Sequence, residues 1–332
     1  MKVDELSTPA LLIDVDALER NLSTMAAVLP GSRLRPHVKA HKCTSLARAQ
    51  RAHGHRTFTC ATPKEVIGMV AAGLGDDVLL ANETLDPARL AAMAALHDQC
   101  LITVALDSRA TIDAAASAGI KYGLIDVNVG LPRCGCTPSD AGHLADYARS
   151  RGMVIRGVMG YEGHLMRVLD RAEQRVLVAA SMDKLIVASL MVGGDIVSAG
   201  GTGTFDLHDQ VNEIQAGSYA LMDTDYGGRG HPFEQACFIL ATVISSTKEY
   251  AVADAGLKAH GMDHGNPSID GATVRFLSDE HVTFVPAAPI AVGEKVKLIP
   301  AHIDPTMAMH EVAWLVSGDE VKDRWPIDLR GW

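Results

Sequence analysis

The chain is short of aromatic residues and of positive charge, and it has no long apolar run. Phe, Tyr and Trp make up only 5% of its 332 residues although 48% are hydrophobic, so a core has to be built from Ala, Val, Leu, Ile and Met. Such side chains favour helices packed on a buried sheet over an all-β sandwich. Acidic residues outnumber basic ones, 40 against 30, for a formal charge of -10. Nucleic-acid affinity depends on clustered Lys and Arg, so a polyanion is a poor partner and a small-molecule substrate is expected. No stretch reaches the roughly 18 consecutive apolar residues of a membrane span. The opening MKVDELSTPALLIDVDALERN carries acidic residues and Pro9 where a signal or transit peptide would not. A soluble, cytoplasmic protein is expected. Cysteine is sparse: Cys43, Cys60, Cys100, Cys134, Cys136 and Cys237 are scattered and read as reduced thiols. Cys134 and Cys136 lack the second pair that would complete a structural zinc site.

What is present is a repeating texture. Over residues 11–239 short apolar runs alternate with amphipathic stretches. The candidate strands are ALLIDV, RLRPHVKA, TFTCAT, DVLLAN, ITVALD, YGLIDVNV, IRGVMGYEG, DIVSAGG and NEIQAGSY. Between them lie helical patterns such as PKEVIGMVAAG, DPARLAAMAALHD, SRATIDAAASAG and PSDAGHLADYARSRG. The last begins at Ser139 and Asp140, repeats apolar residues at helical spacing and stops at Gly152. About eight β-then-α units predict a closed (β/α)8 barrel of the TIM type rather than an open sheet. Residues 240–332 differ: ATVISSTK, YAVADAG, ATVRFLS, HVTFVPA, KVKLIPAH and EVAWLVSG are β-branched runs broken by Gly, Pro and Asp, with no convincing helix between them. They predict a C-terminal antiparallel β domain, to which residues 1–10 could add a strand.

Five segments carry candidate chemistry. RLRPHVKAHKC is strand-like and ends crowded with Lys and His; a lysine at the C-terminal end of a barrel strand lies where barrel active sites are built, and partial desolvation makes it a competent Schiff-base amine. An ordinary solvated basic loop is the alternative. GGDIVSAGGTGTF runs from a strand into Gly200, Gly201, Thr202, Gly203 and Thr204, where N–H groups and hydroxyls can approach an anion; no Lys follows, so this is not the nucleotide P-loop. In QAGSYALMDTDY, Gly217 and Ser218 offer another N–H and hydroxyl, and late barrel loops commonly bind phosphate. VNVGLPRCG turns at Gly130 and delivers Arg133, either a permanently charged donor or half of an ion pair. MGYEGH supplies Tyr161, a platform for a ring, and His164, an acid/base near neutral pH; a core tyrosine and an exposed histidine are the plainer readings.

In combination RPHVKAHKC, VNVGLPRCG, MGYEGH, SAGGTGTF, QAGSYALMDTDY, DAGLKA, Glu280-His281, PAHIDPTM and WPIDLRG resemble the D-threonine aldolase and D-serine dehydratase family, alanine-racemase-like (fold-type III) pyridoxal-phosphate enzymes. The resemblance runs through essentially the whole chain in matching order. It implies that Lys39, not Lys42, is the Schiff-base lysine and that Arg133 lies near the cofactor's phenolic oxygen. It also implies that Gly201, Thr202, Gly217 and Ser218 hold the phosphate, with Tyr161 and neighbouring Tyr219 also at the cofactor. PAHIDPTM falls on the family's metal site, with His302 and Asp304 as ligands. Were the strand geometry of KVKLIPAH to continue, positions i and i+2 would share one face. Dehydratase members typically carry cysteine at the position of Asp304; imidazole plus carboxylate is a harder donor set suited to manganese or magnesium.

The implied reaction is metal-dependent cleavage of a β-hydroxy-D-amino acid to glycine and an aldehyde, by a homodimer. Dehydration of D-serine or D-3-hydroxyaspartate is the alternative, with racemisation behind it. Two readings fall outside this chemistry: a protein that holds pyridoxal phosphate without turnover, and a metal-dependent sugar-phosphate barrel, which leaves Lys39 unexplained. The chain departs from the family pattern at Arg167, where some members place a catalytic histidine, so the identity of the base stays open.

Overall fold

Runs that are apolar at nearly every position form stable strands only when both faces are covered, and seven such runs align in parallel. In the computed structural model, which describes residues 1–332, strands Thr57–Cys60, Asp77–Leu80, Leu101–Leu106, Tyr122–Asp126, Val154–Met159, Ile196–Ala199 and Glu213–Ile214 neighbour one another in sequence order. Residues 34–37 close the ring. Leu34 bridges to Ile214 and His37 to Thr59, both in parallel. The N–H groups of Arg35 and His37 donate to the carbonyls of Ile214 and Ala216, and that of Thr59 to Pro36. Eight staves result, as the sequence predicts. The closing stave is irregular because Pro36 has no N–H to give, and it turns directly into the 3-10 turn Val38–Ala40.

The intervening helices start where the sequence says they should. Thr62, Asp86 and Ser108 cap Pro63–Ala71, Pro87–Ala94 and Arg109–Ser117 by accepting first-turn N–H groups, each typically worth about 1 kcal/mol. Ala141–Ser150 stops just before Gly152, which sits at φ +82°. No helix is long and apolar enough to cross a membrane. All six cysteines are free thiols.

Inside the barrel, buried Leu79, Ala105, Leu124 and Met159 form an apolar layer, but a charged layer lies among the staves as well. Arg35, only 2% exposed, pairs with Glu213 at 2.8 Å and Asp77 at 3.2 Å. Arg156 pairs with Asp77 at 2.6 Å and donates to Thr103 at 2.7 Å. Two cations and two anions balance. Burial alone would raise the Asp77 carboxyl, yet the hydrogen bond from Arg156 and the charge of Arg35 hold it below its ordinary value. Its contribution is therefore present at neutral pH and lost as pH falls through the carboxylate range. Asp77→Ala is expected to cost about 3–5 kcal/mol, because it strands buried guanidinium charge. Urea unfolding measures this, and a parent-like midpoint would show that the network carries no stability.

The second sheet has nine strands, in the order Ala251–Ala253, Val282–Pro286, Ala272–Leu277, Ser268–Ile269, Lys295–Ile299, Cys237–Ser246, Ala10–Asp14, Val312–Ser317 and Glu320–Pro326. The long strand Cys237–Ser246 also pairs with Ala251–Ala253, so its first six members close into a small antiparallel barrel. The strand Ala10–Asp14 differs from the sequence reading, which counted it among the parallel staves. It pairs antiparallel with residues 237–240 and parallel with residues 313–316. Leu11, Leu12 and Ile13 are fully buried, so its apolar run looks like a barrel stave. Val3, Leu6, Ala10, Leu12, Leu240 and Val316 form the adjoining core.

A second difference is the helix Ile303–Met309, where no helix was expected. Helix and strand share short apolar runs, and seven residues are too few for periodicity to separate them. The chain divides into two units, residues 25–39 and 47–217 with Trp332, and residues 1–24, 40–46 and 218–331.

Candidate active site

In the parallel barrel the candidate residues fall at the C-terminal ends of successive staves. Half-buried Lys39 lies in the turn after the closing stave. Arg133 follows strand Tyr122–Asp126, Tyr161 and His164 follow Val154–Met159, the Gly-rich loop follows Ile196–Ala199, and Gly217 follows Glu213–Ile214. This is the end at which barrel enzymes assemble their sites.

Several of these groups touch. The Arg133 guanidinium lies 5.4 Å from the centroid of the Tyr161 ring, within cation–π reach. That ring packs on Gly201, where a Cβ would sit 3.4 Å from it and 3.2 Å from Met166 Sδ. His164 is exposed in the turn Gly163–Leu165, and its imidazole lies over Gly130. A Cβ there would fall 2.8 Å from Cε1 and 2.9 Å from Nε2, at a φ of +143°, so glycine is required for this approach. Thr202 is buried. Asp126, Asn128, Arg133, Cys134 and Tyr161 line a cleft beside this group.

Sequence reasoning overlooked a set of acids at the same strand ends. Glu83, Asp107 and Cys134 have ligand atoms within 4.8 Å of one another. Burial, and then the charge of Glu83 beside it, push the Asp126 carboxyl well above its ordinary value. The signal was available, since an acid stands at or just after three consecutive apolar runs, DVLLANE, ITVALD and YGLID.

In the other unit, Ser218 and Tyr219 form the turn Ser218–Ala220. Tyr219 is fully buried, its ring 5.6 Å from that of Phe233. His302 and Asp304 do approach each other, with Nε2 3.5 Å from Oδ2, but not through a shared strand face. His302 is the extended N-cap of Ile303–Met309, and Asp304 is in its first turn. The pairing argued from strand periodicity is thus corrected: a helix start, not an extended chain, brings the two side chains together.

His302 Nδ1 lies 2.7 Å from Asp263 Oδ2. Burial disfavours the charged imidazole, but Asp304 and Asp263 together raise it above its ordinary value; with Asp263 on Nδ1, Nε2 on the Asp304 side is the nitrogen that would face a cation. His264 stacks on His302 with ring centroids 3.8 Å apart, and its Nδ1 is 3.3 Å from Asp225. Buried Asp223 accepts the Ile303 N–H at 3.0 Å and so fixes the backbone between His302 and Asp304; burial raises its carboxyl to about 6. The donor set of imidazole and carboxylates fits a hard or borderline divalent cation. On the barrel, an amine, a guanidinium and a glycine–threonine loop fit the aldehyde, phenolic oxygen and phosphate of a pyridoxal cofactor.

Barrel, strand-end lysine and second β unit define an alanine-racemase-like architecture. Residues 13–225 match the alanine racemase N-terminal domain family and residues 236–316 the serine dehydratase domain family. The chain is similar to a D-threonine aldolase of Arthrobacter sp, at 35% identity covering 98% of this chain and 93% of that one. It is also similar to a 3-hydroxy-D-aspartate aldolase of Paracoccus denitrificans, at 33% identity covering 100% and 94%. The crystal structure of D-threonine aldolase from Filomicrobium marinum superposes with a TM-score of 0.93, at 35% identity over 99% of this chain and 97% of that one. The chain belongs to the D-threonine aldolase and D-serine dehydratase family of fold-type III pyridoxal-phosphate enzymes.

Proposed function

We propose that this protein cleaves β-hydroxy-D-amino acids of the D-threonine type to glycine and an aldehyde, with pyridoxal phosphate carried on Lys39 and manganese or magnesium held by His302 and Asp304. The observation that carries the choice is the imidazole–carboxylate pair at 3.5 Å. Dehydratase members of the family typically have cysteine where Asp304 stands, and a thiolate selects softer zinc.

When bound, the cofactor supplies an electron sink for a bond broken at Cα, and the cation a Lewis acid for the β-oxygen. The chain's own groups do the rest. Lys39 supplies the amine that carries the cofactor. Arg133 places a fixed positive charge on the phenolic oxygen, and Tyr161, held between Arg133 and Gly201, provides the wall. Gly201, Thr202, Gly217 and Ser218 offer N–H groups and hydroxyls to the phosphate, with Tyr219 also assigned to the cofactor. His164 accepts the β-hydroxyl proton as the Cα–Cβ bond breaks, and a proton delivered at Cα completes glycine.

Incubation of the metal-loaded enzyme with D-threonine, D-serine and D-alanine tests this reading. Glycine and acetaldehyde from D-threonine are expected; D-serine conversion to pyruvate as the dominant reaction would overturn it. His164→Gln is expected to lower turnover by about 10²–10⁴-fold, the usual worth of a positioned base, while cofactor absorbance survives. A near-normal rate would move the role to another group.

The reading includes a homodimer. Support comes from apolar side chains along Arg171–Val192, among them Val176, Val187 and Leu190, which are exposed on the single chain and which association would bury. Light scattering on the active protein should give twice the chain mass; a fully active monomer would refute it.

A further inference from the structure

The Gly-rich loop is gripped by side chains to which the proposed reaction gives no task. Glu162 directly follows Tyr161 and is fully buried, as are Thr204 and the side chain of His208. Glu162 Oε1 accepts the Thr204 hydroxyl at 2.6 Å and His208 Nε2 at 2.9 Å. Its other oxygen accepts the N–H of Gly200 at 3.2 Å. Thr204 Oγ1 in turn accepts the N–H of Gly201 at 3.3 Å. Gly200 has φ +81°, and a Cβ on it would lie 2.9 Å from His208 Nε2, so any larger residue would dislodge the imidazole. One carboxylate thus ties down both ends of the loop.

Removing a carboxylate from water is costly unless donors fill its oxygens. Here three donors do so. Burial would raise the acid, but the hydrogen bonds from His208 and Thr204 hold it below its ordinary value, so the loop is anchored by charge-assisted bonds. A negative charge this close to an anion-binding loop opposes phosphate by simple electrostatics. Its benefit to binding can only come from the shape it imposes.

We propose that Glu162, acting through Thr204 and the Gly200 N–H, is the positioning residue that sets the Gly200–Thr204 loop for the cofactor's phosphate without touching it. The inference rests on the pyridoxal-phosphate reading above. It predicts an effect confined to the phosphate end of the ligand, because Glu162, Thr204 and His208 bond to the Gly200–Thr204 loop, whereas Lys39 follows a different stave.

Dissociation constants of pyridoxal phosphate and of pyridoxal, which lacks the phosphate, separate this role from general support of the fold. They are measured by equilibrium dialysis on the parent protein, Glu162→Gln, Thr204→Val and Thr204→Ser. Glu162→Gln and Thr204→Val are expected to weaken pyridoxal phosphate by roughly ten- to hundredfold, the worth of one or two charge-assisted hydrogen bonds. Pyridoxal affinity should stay at the parent value, and Thr204→Ser, which keeps the hydroxyl, should bind both ligands as the parent does. Equal loss of the two ligands would reduce Glu162 to a structural residue. Tighter pyridoxal phosphate binding by Glu162→Gln would mean that repulsion outweighs positioning. Either result overturns the proposal. Should Glu162→Gln not fold, the near-isosteric Thr204→Val decides alone. A parent protein that binds pyridoxal phosphate no better than pyridoxal would instead remove the cofactor-site reading itself.

Discussion

Replacing Lys39 by alanine is expected to eliminate turnover and the visible absorption band of the cofactor-loaded protein together. Removing the group that forms the covalent link typically costs on the order of 10⁴-fold or more. Lys39 sits in the turn that ends the closing stave of the barrel, where the chain is held by the Thr59 N–H to Pro36 bond and by the His37 N–H to Ala216 bond. Lys258 lies in the matching DAGLKA motif but is exposed and 2.9 Å from Glu280. Hydrogen bonding to that carboxylate raises its pKa, which keeps the ammonium protonated and a poor nucleophile. Borohydride reduction of the parent should fix the cofactor to the peptide containing Lys39. An adduct on Lys42 or Lys258 would sink the assignment, as would a Lys39→Ala protein that retained the band.

Chelation is expected to abolish activity, and manganese to restore it, with the cofactor band unchanged throughout. Two protein ligands leave most coordination positions to water and substrate, so the ion should be removable. His302→Ala and Asp304→Ala should each mimic chelation, and added manganese should not rescue them. Asp263→Asn should weaken metal affinity by roughly 10–100-fold, the usual cost of removing the carboxylate that orients a ligating histidine. The reason is the 2.7 Å contact to His302 Nδ1, which turns Nε2 toward Asp304. Metal titration followed by calorimetry measures all three variants. Full activity after verified metal removal would overturn the metal-dependent mechanism, and parent-like affinity in Asp263→Asn would leave His302 oriented by its stack on His264 alone.

Much of the barrel was legible because its signals are local. A strand buried on both faces, a capping Thr or Asp, Pro at the first helical position and a stopping Gly all lie within about ten residues of one another, and the observed helices begin at Thr62, Asp86 and Ser108 as those signals require. The strand-end motifs were legible for the same reason: each follows its own apolar run. In the second sheet, strands form at all six runs read after residue 240.

What failed needed information from distant parts of the chain. ALLID is apolar throughout, and nothing in those five residues says that their partners are Cys237–Ser246 and Val312–Ser317 rather than a parallel stave. His302 and Asp304 approach each other at a helix start and not along a strand face, and a seven-residue helix leaves no periodic trace that could have shown it.

By itself the sequence determined the eight-stave barrel, the β-rich second part, the strand-end lysine and the residue types able to hold a cofactor and a hard cation, because backbone propensity and burial period act over short ranges. Tertiary structure alone decided that Asp263 stands against His302 from 39 residues away, that Arg35 and Asp77 share a buried ion network, and that Glu162 meets His208 beneath the glycine loop. Such side-chain pairings are fixed by the packing of whole elements, and sequence spacing carries no record of which elements become neighbours.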